Sequence, residues 1–484
     1  MVVPYPWRSV VKDMGDATVL RDQYESDPSF WAIIEWLAIE MDPELAQIDR
    51  VLDDDVLFQL IRRDMSQRYP QTLETGRNST PVEVCLRMLA IKRLYGFTYR
   101  QTEWHTGDSL VLRWFCRVYF NAVPDHSTLN RWASLIERET LHAFNTRIDK
   151  LAREQKVTRG RKLRTDGTVV ETHIAYPRDS KLLADGVRVL CRAIKRARQV
   201  ITNTSQGAAQ TYRDRTRSAR NQARRIANCA RRKSEAAKAE MKNAYRRLVD
   251  IAQSAIRQAE SVSEMLQSQR LQAANRLRET LLTFVPRVKQ AVDQTVRRVF
   301  RNQSVPAQEK IVSLFEPHTA IIRRGKVGKP TEFGRKVWLD EVDGGIVTRW
   351  EILDGNPADS EQWQPAIDHH IALFEKPPDL ASGDRGLYSP DNEAYAEQQG
   401  IRRIILPKPG RKTETRHRHE AQRWFKRGRR FHAGIEGRIS VLKRKHELDC
   451  CLDQGEDGFE RWVGWGIIAG NLAVMGKALA AKAN

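Results

Sequence analysis

The sequence is most informative first in what it lacks. Its opening residues, MVVPYPWRSVVKDM, have no long apolar core, which argues against a secretion signal. The most apolar stretch, residues 462–476, lies between Arg461 and Lys477 and is too short to span a bilayer. The six cysteines, Cys85, Cys116, Cys191, Cys229, Cys450 and Cys451, form no CxxC pair and no His-linked spacing, and adjacent Cys450 and Cys451 make a poor disulfide. A reduced cytoplasm without structural zinc is therefore expected. Between about residues 180 and 300 there is no proline before Pro286, and the only glycines are Gly186 and Gly207. That scarcity excludes a loop-rich region and predicts long helices.

Negative charge is also scarce in mid-chain. From Arg188 to Arg301 there are 27 basic and 8 acidic residues, whereas residues 1–80 hold 8 basic and 15 acidic ones. The whole chain of 484 residues carries a formal charge of +21. Its length suits two to four domains, and its charge favours a polyanionic partner, nucleic acid before an anionic membrane surface.

The first hundred residues place apolar positions at helical spacing, as in Phe30, Ile33, Ile34 and Leu37, then Val56, Leu57, Leu60 and Ile61. Thr80, Pro81 and Glu83 spell a capped helix start, with the helix running to Tyr95 and Gly96. Thr98 with Gln101 spells another, and further helices are expected over 110–118 and 127–137. Such a cluster reads as a helix-turn-helix DNA reader, a dimerisation bundle or a plain helical core. Trp104, Trp114 and Trp132 would stack on bases in the first case and pack internally in the last.

Near Leu163 the pattern changes. RKLRTDGTVVETHIAY is rich in β-branched residues and predicts a strand carrying Asp166. The proline-free region then sets Leu183, Val187, Leu190 and Ile194, and later Leu248, Ile251, Ala255, Ala259, Val262 and Leu266, along narrow helical seams. After the linker GKVGKP, segments 336–342 and 346–352 flank Asp343-Gly344-Gly345 as a β-hairpin. A helix over 359–374, a strand over 380–384, a helix opened by Ser389-Pro390 and a strand over 403–406 follow. The expected fold class is α/β: an RNase H-like mixed-sheet core split by a long helical insertion and preceded by an all-α N-terminal region. The expected domains are 1–155 (helical, for DNA binding or dimerisation), 156–179 (first part of the core), 180–325 (basic helical arm) and 326–484 (remainder of the core with C-terminal helices).

Cleaving a phosphodiester at neutral pH calls for an activated oxygen nucleophile and a stabilised leaving oxygen, which two hard cations held by carboxylates supply. Three segments set an acid where a strand or helix could present it: Asp166 in RTDGTVVET, Asp384 in LASGDRGLYS and Glu436 in RRFHAGIEGRISVLKRK. Either aspartate alone also reads as a turn residue, and the helix bearing Glu436 also reads as a solvated basic face. Lys443, two turns beyond Glu436 on the same face, offers a phosphate clamp, with Arg438 and Arg444 nearby. In the arm, Arg224, Arg225, Arg231 and Arg232 are candidate DNA contacts, unless the arm is a dimerisation element kept soluble by its charge.

TDGTVVET, NPADSEQWQPAI, SGDRGLYSPDNEAY, IILPKPGRK, RRFHAGIEGRISVLKRKHELDCCL and the tail GIIAGNLAVM, in this order and spacing, resemble the DDE-class transposases of bacterial insertion sequences. MLAIKRLYGFTYRQTEWHTGDS and VPDHSTLNRW look like the N-terminal domain of such transposases. The resemblance implies that Asp166, Asp384 and Glu436 form the DDE triad, holding two Mg²⁺ or Mn²⁺ ions. It implies hydrolysis at transposon ends followed by attack of the freed 3′ hydroxyl on target DNA, without a covalent protein intermediate. It further implies DNA as partner, a homodimer or higher homo-oligomer, no membrane, and a bacterial cytoplasmic, nucleoid-associated location. Related transposases carry a Tyr-Arg-Glu-Lys signature around the last acid. Lys443 matches it, but His432 stands at the arginine position and Arg429 at the tyrosine position, which leaves strand-end handling open, with His432 either a phosphate contact or a packed imidazole. A metal-dependent nuclease or junction resolvase of the same fold, and a nonenzymatic DNA-binding protein, are the alternatives.

Overall fold

The computed structural model describes residues 18–68, 73–74, 77–202, 213–269, 271–323 and 330–483. The opening segment MVVPYPWRSVVKDM and the linker up to Lys329 lie outside them. The chain is a mixed α/β protein, rich in helix, with seventeen α-helices and a mixed sheet among the described residues. It divides into two compact units, one of residues 1–168, 337–352 and 357–484, the other of residues 169–336 and 353–356.

The first unit opens with a parallel pair, β1 (Thr18–Val19) and β2 (Arg77–Asn78), around three helices. These are α1 (Pro28–Trp36), α2 (Pro43–Leu52) and α3 (Asp55–Ser66), each capped by the aspartate before it, Asp27, Asp42 or Asp54. Helix α4 (Val82–Tyr95) begins differently from the sequence expectation. Its cap is Pro81, and no side chain caps it. Val82 and Glu83 donate their amides to the Arg21 and Asp22 carbonyls instead, and the Glu83 carboxylate is taken by Arg87. Arg87 is fully buried and also holds Asp49 and Asp53, so its charge is neutralised three times over. Next come α5 (Tyr99–Asp108), whose Thr98–Gln101 capping box forms as expected, α6 (Leu110–Phe115), α7 (His126–Ala133) and α8 (Arg138–Glu154). Of the three tryptophans, Trp132 is buried and Trp114 packs edge-on to Trp31, while Trp104 is 61% exposed.

Strand β3 (Lys162–Thr172) follows, and its β-branched run is buried on alternate positions and then throughout. The chain then enters the second unit, whose helices α9 (Asp179–Thr202), α10 (Thr216–Cys229), α11 (Glu235–Gln267) and α12 (Gln272–Thr295) share one apolar core. Leu183, Val187, Leu190, Ile194, Leu248, Ala255, Ala259, Val262 and Leu266 are all buried there, and Ile251 is partly so. Alanines along α11 let its neighbours approach closely, the narrow seam that the spacing predicted. In this unit β4 (Ala320–Arg323), which carries no clear pattern in the sequence, pairs antiparallel with the first residues of β5 (Thr331–Val342).

Back in the first unit, Gly344 and Gly345, both at positive φ, turn β5 into β6 (Val347–Leu353). Then come α13 (Trp363–Phe374), β7 (Leu380–Ser382), α14 (Pro390–Gln398) and β8 (Arg403–Ile405). Strands β5, β3, β7 and β8 lie in that order, with β6 beside β5. β7 runs parallel to β3, pairing Lys162 with Leu380 and Arg164 with Ser382, and β8 runs parallel to β7. The chain closes with α15 (Glu414–Ala421), α16 (Arg423–Lys445), the short β9 (Cys450–Cys451) beside β3, and α17 (Gly455–Ala483).

Helix α17 extends the apolar run seen in the sequence at both ends, so by length and composition it could cross a membrane. Its most apolar window is 72% buried inside the unit, as befits a core helix. Glycines make this possible: a Cβ on Gly476 would stand 2.7 Å from the Glu44 carbonyl oxygen of α2, and one on Gly464 would stand 2.9 Å from Leu141.

Candidate active site

Asp166 and Asp384 are related through strand register. The paired residues of β3 and β7 end at Arg164 and Ser382, so Asp166 and Asp384 each lie two residues past the last pair. Strands paired in this way lie about 4.8 Å apart. Both aspartates are half-buried. Asp166 Oδ1 accepts from the Gly167 amide at 2.7 Å. Asp384 follows the last ladder bond, Gly383 N to Ile405 O at 3.0 Å, and its Oδ1 accepts from the Gly386 and Leu387 amides at 2.9 and 3.2 Å. It thereby caps the short 3₁₀ turn Arg385–Leu387. A Cβ on Gly386 would lie 3.2 Å from both Asp384 Oδ1 and Asp359 Oδ2, so these two carboxylates border one gap. Asp359 sits inside the NPADSEQWQPAI motif, and that motif was the only signal for it.

Glu436 lies on α16, which packs against β3 and β8. Two glycines let this helix lie close: a Cβ on Gly428 would overlap Ile405 of β8, and one on Gly434 would overlap the Arg164 guanidinium. Arg164 shares a face of β3 with Asp166, since side chains two apart point the same way. Its Nη1 donates to the Phe431 carbonyl of α16 at 2.6 Å, and its Nε and Nη2 donate to Glu341 at 2.7 and 2.6 Å. Glu341, 1% exposed, also faces Arg438 Nε at 3.6 Å. One turn before Glu436, the imidazole of His432 packs beside Arg164 and the Ser382 backbone, and burial pushes its pKa down to about 4. His432 is thus placed as a neutral, packed ring with Nδ1 buried and unpaired. Glu436 itself is exposed.

The basic residues divide by placement. Arg438 is turned inward, held by Glu341 and donating to the Gly345 carbonyl. Lys443 is half-buried with Asp449 at 3.6 Å, while Arg429 and Arg444 are exposed. In the second unit Arg225 and Arg232 both bind Glu240, at 2.9 and 2.6 Å, and Arg224 and Arg231 stand exposed without an ion partner among the described residues. Other acids near the strands are engaged elsewhere. Asp340 binds Arg349 and Thr165, Asp379 binds Arg402, Glu420 binds Lys412 and Arg416, and Glu447 binds Arg93.

Carboxylate oxygens are the donors that magnesium and manganese take, so Asp166, Asp384 and Glu436 suit such ions in kind. They lie on adjoining elements of one unit. Among the described residues, however, no three His, Cys, Asp or Glu side chains are gathered closely enough to hold a metal ion.

The fold is a mixed α/β protein in which Asp166 lies on β3 and Asp384 just beyond β7, two strands paired in parallel. Residues 37–135, from the end of α1 through α7, match the family model described as Transposase domain (DUF772). This match supports a transposase, an enzyme that cuts and transfers DNA, and it ends before the first of the three acids. No curated protein and no solved structure matches the chain.

Proposed function

We propose that the chain is a DDE transposase with an RNase H-like core, cutting transposon ends and joining the freed 3′ hydroxyl to target DNA. The observation that carries this reading is the parallel register of β3 and β7, in which Asp166 and Asp384 each lie two residues beyond the last pair, with α16, the helix of Glu436, tied to β3 through Arg164. The strand order, with β3 flanked by β5 on one side and β7 on the other, and the matched transposase domain support it.

In this reading Asp166, Asp384 and Glu436 hold two Mg²⁺ or Mn²⁺ ions. Bound there, such ions sharpen a water or hydroxyl nucleophile and stabilise the leaving oxygen. The chain's own contribution is positioning. Gly386 lets the turn after Asp384 lie close to the Asp359 carboxylate, and Arg164 ties β3 to α16. Lys443, Arg429 and Arg444 offer positive charge to phosphates, whereas Arg438 and His432 serve packing. The protein acts as a dimer or larger assembly on paired ends.

A strand-transfer assay with pre-cleaved transposon ends tests the proposal. Joined products that disappear in Asp166→Asn, Asp384→Asn and Glu436→Gln variants, with DNA binding retained, are expected. Cutting that never leads to joining would favour a nuclease or resolvase, and activity unchanged by all three substitutions would sink the carboxylate assignment.

A further inference from the structure

The second unit carries 27 basic residues in its mid-chain stretch from Arg188 to Arg301, but its ion pairs sort them. Arg188 is held by Asp185, Lys238 by Glu235, Lys289 by Glu260, Arg297 by Glu309 and Arg298 by Asp179. Helix α10 is different. Residues 215–234 contain seven arginines and one lysine and no acid.

Around α10, at about 100° per residue, Ala219 and Ile226 mark the buried side, and both are buried in the arm core. Arg225 and Arg232 lie on one flank, where both meet the single carboxylate of Glu240. Arg217, Arg220 and Arg224 fall within about 60° of arc on the outer side, and Arg231 follows in the turn just beyond the helix. All four are exposed and have no ion partner among the described residues. At about 1.5 Å per residue the three on the helix span roughly 10 Å. Exposed Asn221 and Asn228 flank the row and add neutral hydrogen-bonding groups.

We infer that this outer row of α10 is a duplex-DNA backbone site, and that Arg225 and Arg232 only orient the helix through Glu240. The charge argument is direct. Four unpaired guanidinium groups on a segment without acids repel one another and are relieved by a polyanion, and guanidinium groups pair bidentately with phosphate oxygens. A second protein chain would need opposing carboxylates or an apolar face, and the outer row offers no apolar face to such a partner. The inference rests on the transposase reading only in taking DNA as the ligand.

The test measures binding of the full-length protein to a linear DNA duplex by fluorescence anisotropy across a salt series. Replacing Arg217, Arg220, Arg224 and Arg231 together by Gln is expected to lower the slope of log K against log salt by up to about 3.6, since each neutralised phosphate contributes about 0.9. Arg→Lys at the same four positions should keep most of that slope, and Arg225→Gln with Arg232→Gln should keep it as well. An unchanged slope in the four-Gln variant, with its circular dichroism like that of the parent, overturns the inference. So does a change of oligomeric state in sedimentation without a change in DNA binding. Asp384→Asn is the reference: if it abolishes joining while the four-Gln variant binds normally, this inference alone fails. If the parent protein binds no DNA, the transposase reading fails with it.

Discussion

Asp384 lies two residues beyond Ser382, whose partner Arg164 in the parallel pairing of β3 and β7 lies two residues before Asp166, and the same Asp384 caps the turn that follows. The two roles separate by substitution. Asp384→Asn keeps a good helix-type cap and removes the charge, whereas Asp384→Ala removes both. We expect DNA cleavage to fall on the order of 10² to 10³-fold in both variants, from loss of electrostatic stabilisation at the phosphate. Only the Ala variant should also lose about 1 kcal/mol of stability in urea titration.

Glu341 is 1% exposed and is the common partner of Arg164 and Arg438. Glu341→Ala would leave two largely buried guanidinium groups short of an acceptor. A loss of about 3 to 5 kcal/mol in unfolding free energy is expected, as when one partner of a buried ion pair is removed. A loss below 1 kcal/mol would mean that α16 is held to the sheet by other contacts.

Gly428 allows α16 to lie against Ile405, with no room for a methyl group between them. Gly428→Ala should cost about 1 to 3 kcal/mol by overpacking and displace the helix that carries Glu436. Cleavage should then drop more than DNA binding does, a contrast that parallel anisotropy and cleavage assays reveal. The double substitution Gly428→Ala with Ile405→Val, which returns space, should recover part of the stability.

Asp149 lies fully buried in α8, with Oδ1 unpaired and Oδ2 only 3.5 Å from Asn145 Nδ2. Burial raises its pKa well above the ordinary carboxylate value. The folded state therefore holds the proton more tightly than the unfolded one. Its stabilising effect is present below about pH 4 and is lost as pH rises toward the folded-state value. Asp149→Asn should accordingly raise Tm at neutral pH, by an amount equivalent to about 1 to 3 kcal/mol, and the gain should shrink toward pH 4. Melting curves of the two proteins from pH 4 to 8 decide it, since a gain constant across that range would point to packing instead.

Local signals made much of the core legible. The strand around Asp166, the Asp343-Gly344-Gly345 hairpin, the Ser389-capped helix and the arm seam each rest on residue spacing or turn chemistry within a few positions, and each is found where expected. The failures were tertiary. Thr80 does not cap α4, because backbone carbonyls from residues 21 and 22 take the amides that a capping box would have served. β4 has no pattern of its own and exists through its pairing with β5. Arg438 looked like a phosphate contact until Glu341, nearly a hundred residues away in sequence, was found to hold it. Asp359 could not be told from any turn aspartate before its proximity to Asp384 was known.

The arm has a temporal consequence. More than two hundred residues separate Asp166 from Asp384 along the chain, nearly all of them in the second unit and the hairpin. At a synthesis rate of about 5 to 20 residues per second, a ribosome delivers the second aspartate some 10 to 40 seconds after the first. A nascent or prematurely terminated chain thus holds β3 without β7, the strand that pairs with it.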